Sequence, residues 1–141
     1  MKSSQTVLCV SHDPDTCEIL TILLSDVNFK SEHVDTPAEA LQRLRARKFA
    51  AVVTAFYLAD ISGPEFCREM RKFDQTTPVI FYSGAASPSE IAEGLEAGAQ
   101  AYLVKPDDLE RLCDTILTEA AKASELPPSS VPFSDGSPSF A

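Results

Sequence analysis

The chain has 141 residues, is 44% hydrophobic and 23% charged, and carries twenty-one acidic against twelve basic side chains, a net charge of -9. That size suits one domain with a single core and excludes a multidomain machine. No apolar stretch approaches the roughly 20 residues of a membrane-spanning helix, no secretory pattern follows Met1-Lys2, and the acidic field repels nucleic acid and anionic lipid. The composition therefore predicts a cytoplasmic protein with neither a nucleic-acid nor a membrane partner.

Val7-Leu8-Cys9-Val10 is the continuous apolar run of a strand buried on both faces. Asp13 then caps a helix with Pro14 at its first position, and Cys17, Leu20, Leu24 and Val27 recur at spacings of three and four. A weaker strand over 31–34 precedes a second helix, opened by Thr36-Pro37, with Ala40, Leu41 and Leu44 inward. Arg43, Arg45, Arg47 and Lys48 fall in its C-terminal turns, where positive charge is favourable, and read as a solvated helix end rather than a phosphate site. Residues 50–54 form a third strand, a loop runs to Gly63, and Pro64 starts a third helix that buries Phe66, Cys67 and Met70. Residues 78–82 form a fourth strand, and Ser87-Pro88 opens a fourth helix through Ile91 and Leu95 that closes near Gly98. A fifth strand over 101–104 leads to a last helix over 106–123, with Leu109, Leu112, Cys113, Ile116 and Leu117 on its apolar face.

The final segment, 125–141, holds four prolines, five serines and one glycine. It has too few apolar side chains to offset the entropy of ordering and reads as a disordered tail on a domain spanning 1–124. Cys9, Cys17, Cys67 and Cys113 show no CxxC or Cys/His pairing, so they are expected as reduced core residues, with no zinc site.

Strands alternating with helices over short connections predict an α/β fold, a doubly wound five-stranded parallel sheet of order 2-1-3-4-5. Ligands of such sheets sit at the carboxyl ends of the strands, where the order reverses, here between strands one and three. The residues to interrogate are Ser11, His12 and Asp13, then 55–60, Ser83-Gly84 and Lys105-Pro106. A flavodoxin-like redox carrier shares this topology. A flavin phosphate, however, needs a Ser/Thr/Gly-rich loop after strand one, and Ser11-His12-Asp13-Pro14-Asp15 puts acids there; no cofactor is expected.

From about Thr6 to Lys122 the chain resembles the receiver domains of two-component response regulators, the CheY-like superfamily. Three segments carry the resemblance: the run from Glu96 to Lys105-Pro106, the run from Pro78 to Ser83-Gly84, and the run from Val7 to Pro14, at mutually correct spacing. The resemblance implies phosphoryl transfer from a kinase histidine to an aspartate at the end of strand three, with magnesium held by carboxylates and a lysine taking up the remaining charge. The acceptor's address in this sequence is residue 55, which is Ala55, and the addresses of two metal-binding acids are occupied by Ser11 and His12. The degenerate pocket is then Ser11, His12, Asp13, Ala55, Ser83 and Lys105, with no catalytic residue and no metal. Asp60 is the candidate for a non-standard acceptor.

The resemblance further implies that Ser83 and Tyr102 form the switch pair, each also open to a purely structural role. His12 is the one new titratable group in the pocket. Glu90, Glu93 and Asp108 would make an acidic output rim around Tyr102, suited to a protein partner with a basic contact face. The expectation is a non-enzymatic, phosphorylation-independent pseudo-receiver, a protein-interaction module of phosphorelay signalling.

Overall fold

The run of Val7, Leu8, Cys9 and Val10, all at most 1% exposed, forms most of β1 (Thr6–Val10) and lies in the middle of the structure. A computed structural model describes residues 5–125; all of the predicted tail but Glu125 lies outside the described residues. After β1 come α1 (Pro14–Ser25), β2 (Lys30–Val34), α2 (Pro37–Ala46), β3 (Ala51–Thr54), α3 (Gly63–Arg71), β4 (Val79–Ser83), α4 (Pro88–Glu96), β5 (Ala101–Val104) and α5 (Leu109–Glu125). The strands make one parallel sheet of order β2-β1-β3-β4-β5, as predicted.

Side chains on a strand alternate between faces, and here both faces are apolar. Val7, Cys9, Ala51, Val53, Ile80, Tyr82 and Leu103 pack with Cys17, Leu20 and Leu24 of α1 and with Leu112 and Ile116 of α5. Leu8, Val10, Val52, Val79 and Phe81 pack on the other face with Ala40 and Leu44 of α2 and with Phe66, Cys67 and Met70 of α3. Each fully buried side chain of this size contributes about 1.5–3 kcal/mol, so two such layers account for a sheet with no solvent-facing side in its centre.

Four helices start on a side-chain cap followed by proline: Asp13-Pro14, Thr36-Pro37, Ser62-Gly63-Pro64 and Ser87-Pro88. Two of them are reciprocal capping boxes, Ser62 with Glu65 and Ser87 with Glu90, each an S-x-x-E pattern. The last helix begins later than predicted, at Leu109 rather than 106. Residues 105–108 form a turn in which the Asp108 carboxylate accepts the Val104 amide at 2.8 Å and the Asp108 amide donates to the Val104 carbonyl, also at 2.8 Å.

Gly63 is required by close approach. A Cβ there would lie 2.3 Å from the Ala55 carbonyl oxygen and 2.6 Å from the Phe81 ring. Its absence lets the Gly63 amide donate to the Phe56 carbonyl at 2.6 Å and seats the start of α3 directly beside the end of β3.

Candidate functional site

At the carboxyl edge of the sheet, the β1–α1 loop, the residues after β3 and the ends of β4 and β5 converge. Asp13 both caps α1 and faces β5. Its Oδ1 accepts the Asp15 amide at 3.0 Å, and its Oδ2 accepts the Thr16 hydroxyl at 2.9 Å and the Lys105 ammonium at 3.1 Å. Lys105 also donates to Thr16 Oγ1 and lies 5.4 Å from the centroid of the Tyr82 ring, which its charge faces. The Lys105 hydrogen bond, then those from Thr16 and the Asp15 amide, hold the Asp13 carboxyl below its ordinary pKa.

Ser11 is buried and its hydroxyl accepts the Asp13 amide at 3.0 Å, an arrangement that shapes the loop. Ala55, just past β3, is half-buried. Its amide donates to the Val10 carbonyl at 3.3 Å and its carbonyl accepts the Thr54 hydroxyl at 3.0 Å, so the fold uses this residue through its backbone. Asp60 is exposed in the loop beyond.

The histidine joined to this loop is not the one singled out by sequence. His12 is exposed, whereas His33, at the register position beside Cys9 on β2, is within 2.7 Å of the Ser11 carbonyl and 3.2 Å of Asp35. A turn residue is free to point into water. A residue on the neighbouring strand is carried to the loop by pairing, and only strand order reveals it.

Ser83 ends β4, and Tyr102, the second residue of β5, lies beside Phe81 in the register. Ser83 accepts the Ala85 amide at 3.2 Å, while the Tyr102 hydroxyl donates to the Ala85 carbonyl. The Tyr102 ring stacks on Phe81, with centroids 5.2 Å apart and planes 3° from parallel. Burial pushes its phenol up to about 12. Gly94 leaves room for that ring, since a Cβ there would lie 2.9 Å from it.

The structure gives each acid of the predicted rim a partner within the chain. Glu90 closes the α4 capping box and accepts the Tyr57 hydroxyl at 2.6 Å, a bond that, with those from Ser87, lowers its pKa. Glu93 lies 3.7 Å from Arg68, and Asp108 is taken by the Val104 amide and by Arg111 at 3.3 Å. Each acid has a partner within the chain, because each also serves a helix start or a neighbouring helix. The basic cluster is likewise more than a solvated end. Arg43 and Arg47 bridge to Glu32, Arg45 lies over Phe73, and Lys48 reaches Asp74.

Residues 7–117 match the family model described as the response regulator receiver domain. The chain belongs to that family. Among the similar curated proteins, the transcriptional regulatory protein ZraR of Klebsiella oxytoca is 30% identical over 125 residues, which are 89% of this chain and 28% of that protein. The DNA-binding response regulator MtrA of Mycolicibacterium smegmatis is 29% identical over 102 residues, 72% of this chain and 44% of that protein. The receiver chain thus spans between about a quarter and a half of the length of these relatives. A putative response regulator from Chloroflexus aurantiacus has a similar solved structure, with 26% identity, a TM-score of 0.78, and coverage of 84% of this chain and 99% of that one. The receiver domain of a putative LuxO repressor protein from Vibrio parahaemolyticus, at 22% identity and a TM-score of 0.79, shares the fold over 86% of this chain and 94% of its own.

These relatives overturn the partner expectation drawn from charge, which excluded nucleic acid. One is named as DNA-binding and another as a transcriptional regulator. Net charge describes the surface of the receiver part alone and carries no information on what the remainder of a longer regulator, or of its pathway, contacts. Among the described residues, no helix is long and apolar enough to cross a membrane.

Proposed function

We propose that this receiver is degenerate, signalling through its folded surface without accepting a phosphoryl group at the end of β3. The observation that carries the reading is the methyl side chain of Ala55 in the position the family resemblance assigns to the acceptor, since a methyl group has no lone pair with which to attack phosphorus. Non-enzymatic action and a cytoplasmic location belong to the same proposal.

The donor set supports it. Magnesium takes oxygen ligands in octahedral geometry and is usually held by one or two carboxylates. At this edge Ser11 has its hydroxyl on the Asp13 amide, His12 offers nitrogen, and the oxygens of Asp13 are engaged by Asp15, Thr16 and Lys105. Among the described residues no group of three or more His, Cys, Asp and Glu side chains is placed to hold a metal ion. These residues do not fit the ion. Lys105, the cation that in the resemblance meets the phosphoryl group, is already neutralised by Asp13.

The relatives' names extend the proposal to a regulatory pathway that ends on DNA. Incubation with a small-molecule phosphodonor and magnesium, followed by intact-mass measurement, tests the reading. No phosphoryl adduct is expected. A stoichiometric adduct, at Asp60 or anywhere else, overturns phosphorylation independence.

A further inference from the structure

Beneath the β1–α1 loop two thiols face each other in the core layer between the sheet and α1. Cys9, near the end of β1, is 1% exposed, and Cys17, in the first turns of α1, is 9% exposed; their Sγ atoms are 3.2 Å apart. We propose that Cys9 and Cys17 are a redox-active pair that a hydroperoxide converts to a reversible disulfide, stapling β1 to the start of α1.

The placement is specific among the four cysteines. Cys67 packs in the layer on the opposite face of the sheet, and Cys113 on α5 points its sulfur toward the Leu23 carbonyl at 3.9 Å. A disulfide's sulfurs lie about 2.03–2.05 Å apart, so the pair closes by roughly 1.2 Å, within the reach of side-chain rotation and a small helix shift. Cys17 is the more accessible sulfur and the one to be attacked first. The contact with Cys9 and the nearby His33 favour its thiolate, while the same contact and burial push Cys9 up.

The chemistry closes without any further reagent. The Cys17 thiolate attacks one oxygen of the hydroperoxide, the O–O bond breaks, and the leaving oxygen departs as hydroxide or alkoxide and takes up a proton. Cys17 is then a sulfenic acid. Cys9 loses its proton and attacks the Cys17 sulfur, the S–O bond breaks, and water leaves with that proton. Two thiols have given up two electrons and the peroxide bond has taken them; a thiol reductant reverses the change.

The consequence reaches the site above. The segment enclosed by the two cysteines contains Ser11, His12 and Asp13, and Thr16, next to Cys17, bonds both Asp13 and Lys105. Closing the disulfide displaces that turn, whether or not residue 55 accepts phosphate.

The test uses the 141-residue chain, reduced, freed of reductant, and treated at low concentration with a small excess of hydrogen peroxide before alkylation under denaturing conditions. The expected product has lost two hydrogens, is alkylated at Cys67 and Cys113 only, and yields a Cys9–Cys17 linked peptide that disappears on reduction. Amide resonances of Asp13, Thr16 and Lys105 should shift with it. Cys9→Ala should leave a sulfenic acid at Cys17 that a dimedone probe traps, and Cys67→Ser should leave the disulfide unchanged. Four alkylated thiols after treatment, a bond involving Cys67 or Cys113, a disulfide-linked dimer, or oxidation of Cys17 beyond sulfenic acid in the unsubstituted protein would each overturn the proposal.

Discussion

Two polar clusters lie at opposite edges of the same sheet, and they are built differently. At the amino edge Arg71 donates to the carbonyls of Gly98, Asp74 and Thr77 and to the Gln100 side chain, whose oxygen also accepts the Val79 amide. Beside it Asp74, 6% exposed, accepts the Thr77 hydroxyl at 2.7 Å and the amides of Thr76 and Thr77. At the carboxyl edge, Asp13 and Lys105 meet in a single ion pair with side chains 47% and 25% exposed. The amino-edge groups tie loops to strands. At the carboxyl edge the Asp13–Lys105 pair is more open to water than Asp74.

Arg71→Ala gives the sharpest contrast. It strips partners from several backbone carbonyls at once, and we expect a loss of about 2–4 kcal/mol, read as a lower urea midpoint with an unchanged slope. A loss below about 1 kcal/mol would erase the distinction between the edges.

Asp74 refines it through pH. Burial alone would raise this carboxyl, but the Thr77 hydroxyl and amide, the Thr76 amide and the Lys48 charge outweigh burial and leave its pKa lowered. A carboxyl whose pKa is lower in the folded than in the unfolded chain contributes stability that is present above the unfolded value, about 3.9, and is lost as pH falls through the folded one. Asp74→Asn should therefore cost about 1–3 kcal/mol at neutral pH. The difference from the unsubstituted protein should shrink as both are titrated in acid, and an unchanging difference contradicts the assignment.

Tyr102→Phe removes only the hydroxyl bond to Ala85 and keeps the stack on Phe81, with an expected loss of about 1 kcal/mol in thermal or urea unfolding. Lys105→Met, at the wet edge, should cost less than about 1 kcal/mol, and high salt should reduce the difference. Smallest of all is Ala55→Asp. It restores a carboxylate but no metal-binding acid at Ser11 or His12, so a phosphodonor with magnesium should leave its mass unchanged. A phosphoryl adduct on this variant alone would mean that the pocket needs only one residue to work.

The strands and the helix starts were legible because they are local. An apolar run such as residues 7–10 admits few alternatives, and a cap followed by proline marks a helix start within three residues. The beginning of α5 was misplaced because a turn held by Asp108 copies the composition of a first helical turn. The amino-edge cluster was invisible, since Arg71, Thr77, Gly98 and Gln100 come together only after β4 and β5 pair. The same holds for His33, brought to Ser11 by a neighbouring strand, and for Cys9 and Cys17, eight residues apart but facing across a strand–helix layer. At the candidate site the residue identities were readable, whereas their engagements were not: nothing in Glu90, Glu93 or Asp108 as letters says that each is already spoken for.

The close seat of Gly63 on residue 55 separates what this position does for the architecture from what it can do for a reaction. The architecture draws on the carbonyl and amide of Ala55 and on the missing β-carbon of its neighbour, none of which depends on the side chain at 55. The side chain at 55 can therefore be exchanged without disturbing the contacts that seat α3 beside β3. For the same reason residue 55 is a natural attachment point for a reporter group, one that would sense the pocket while leaving the packing of β3 against α3 as it is.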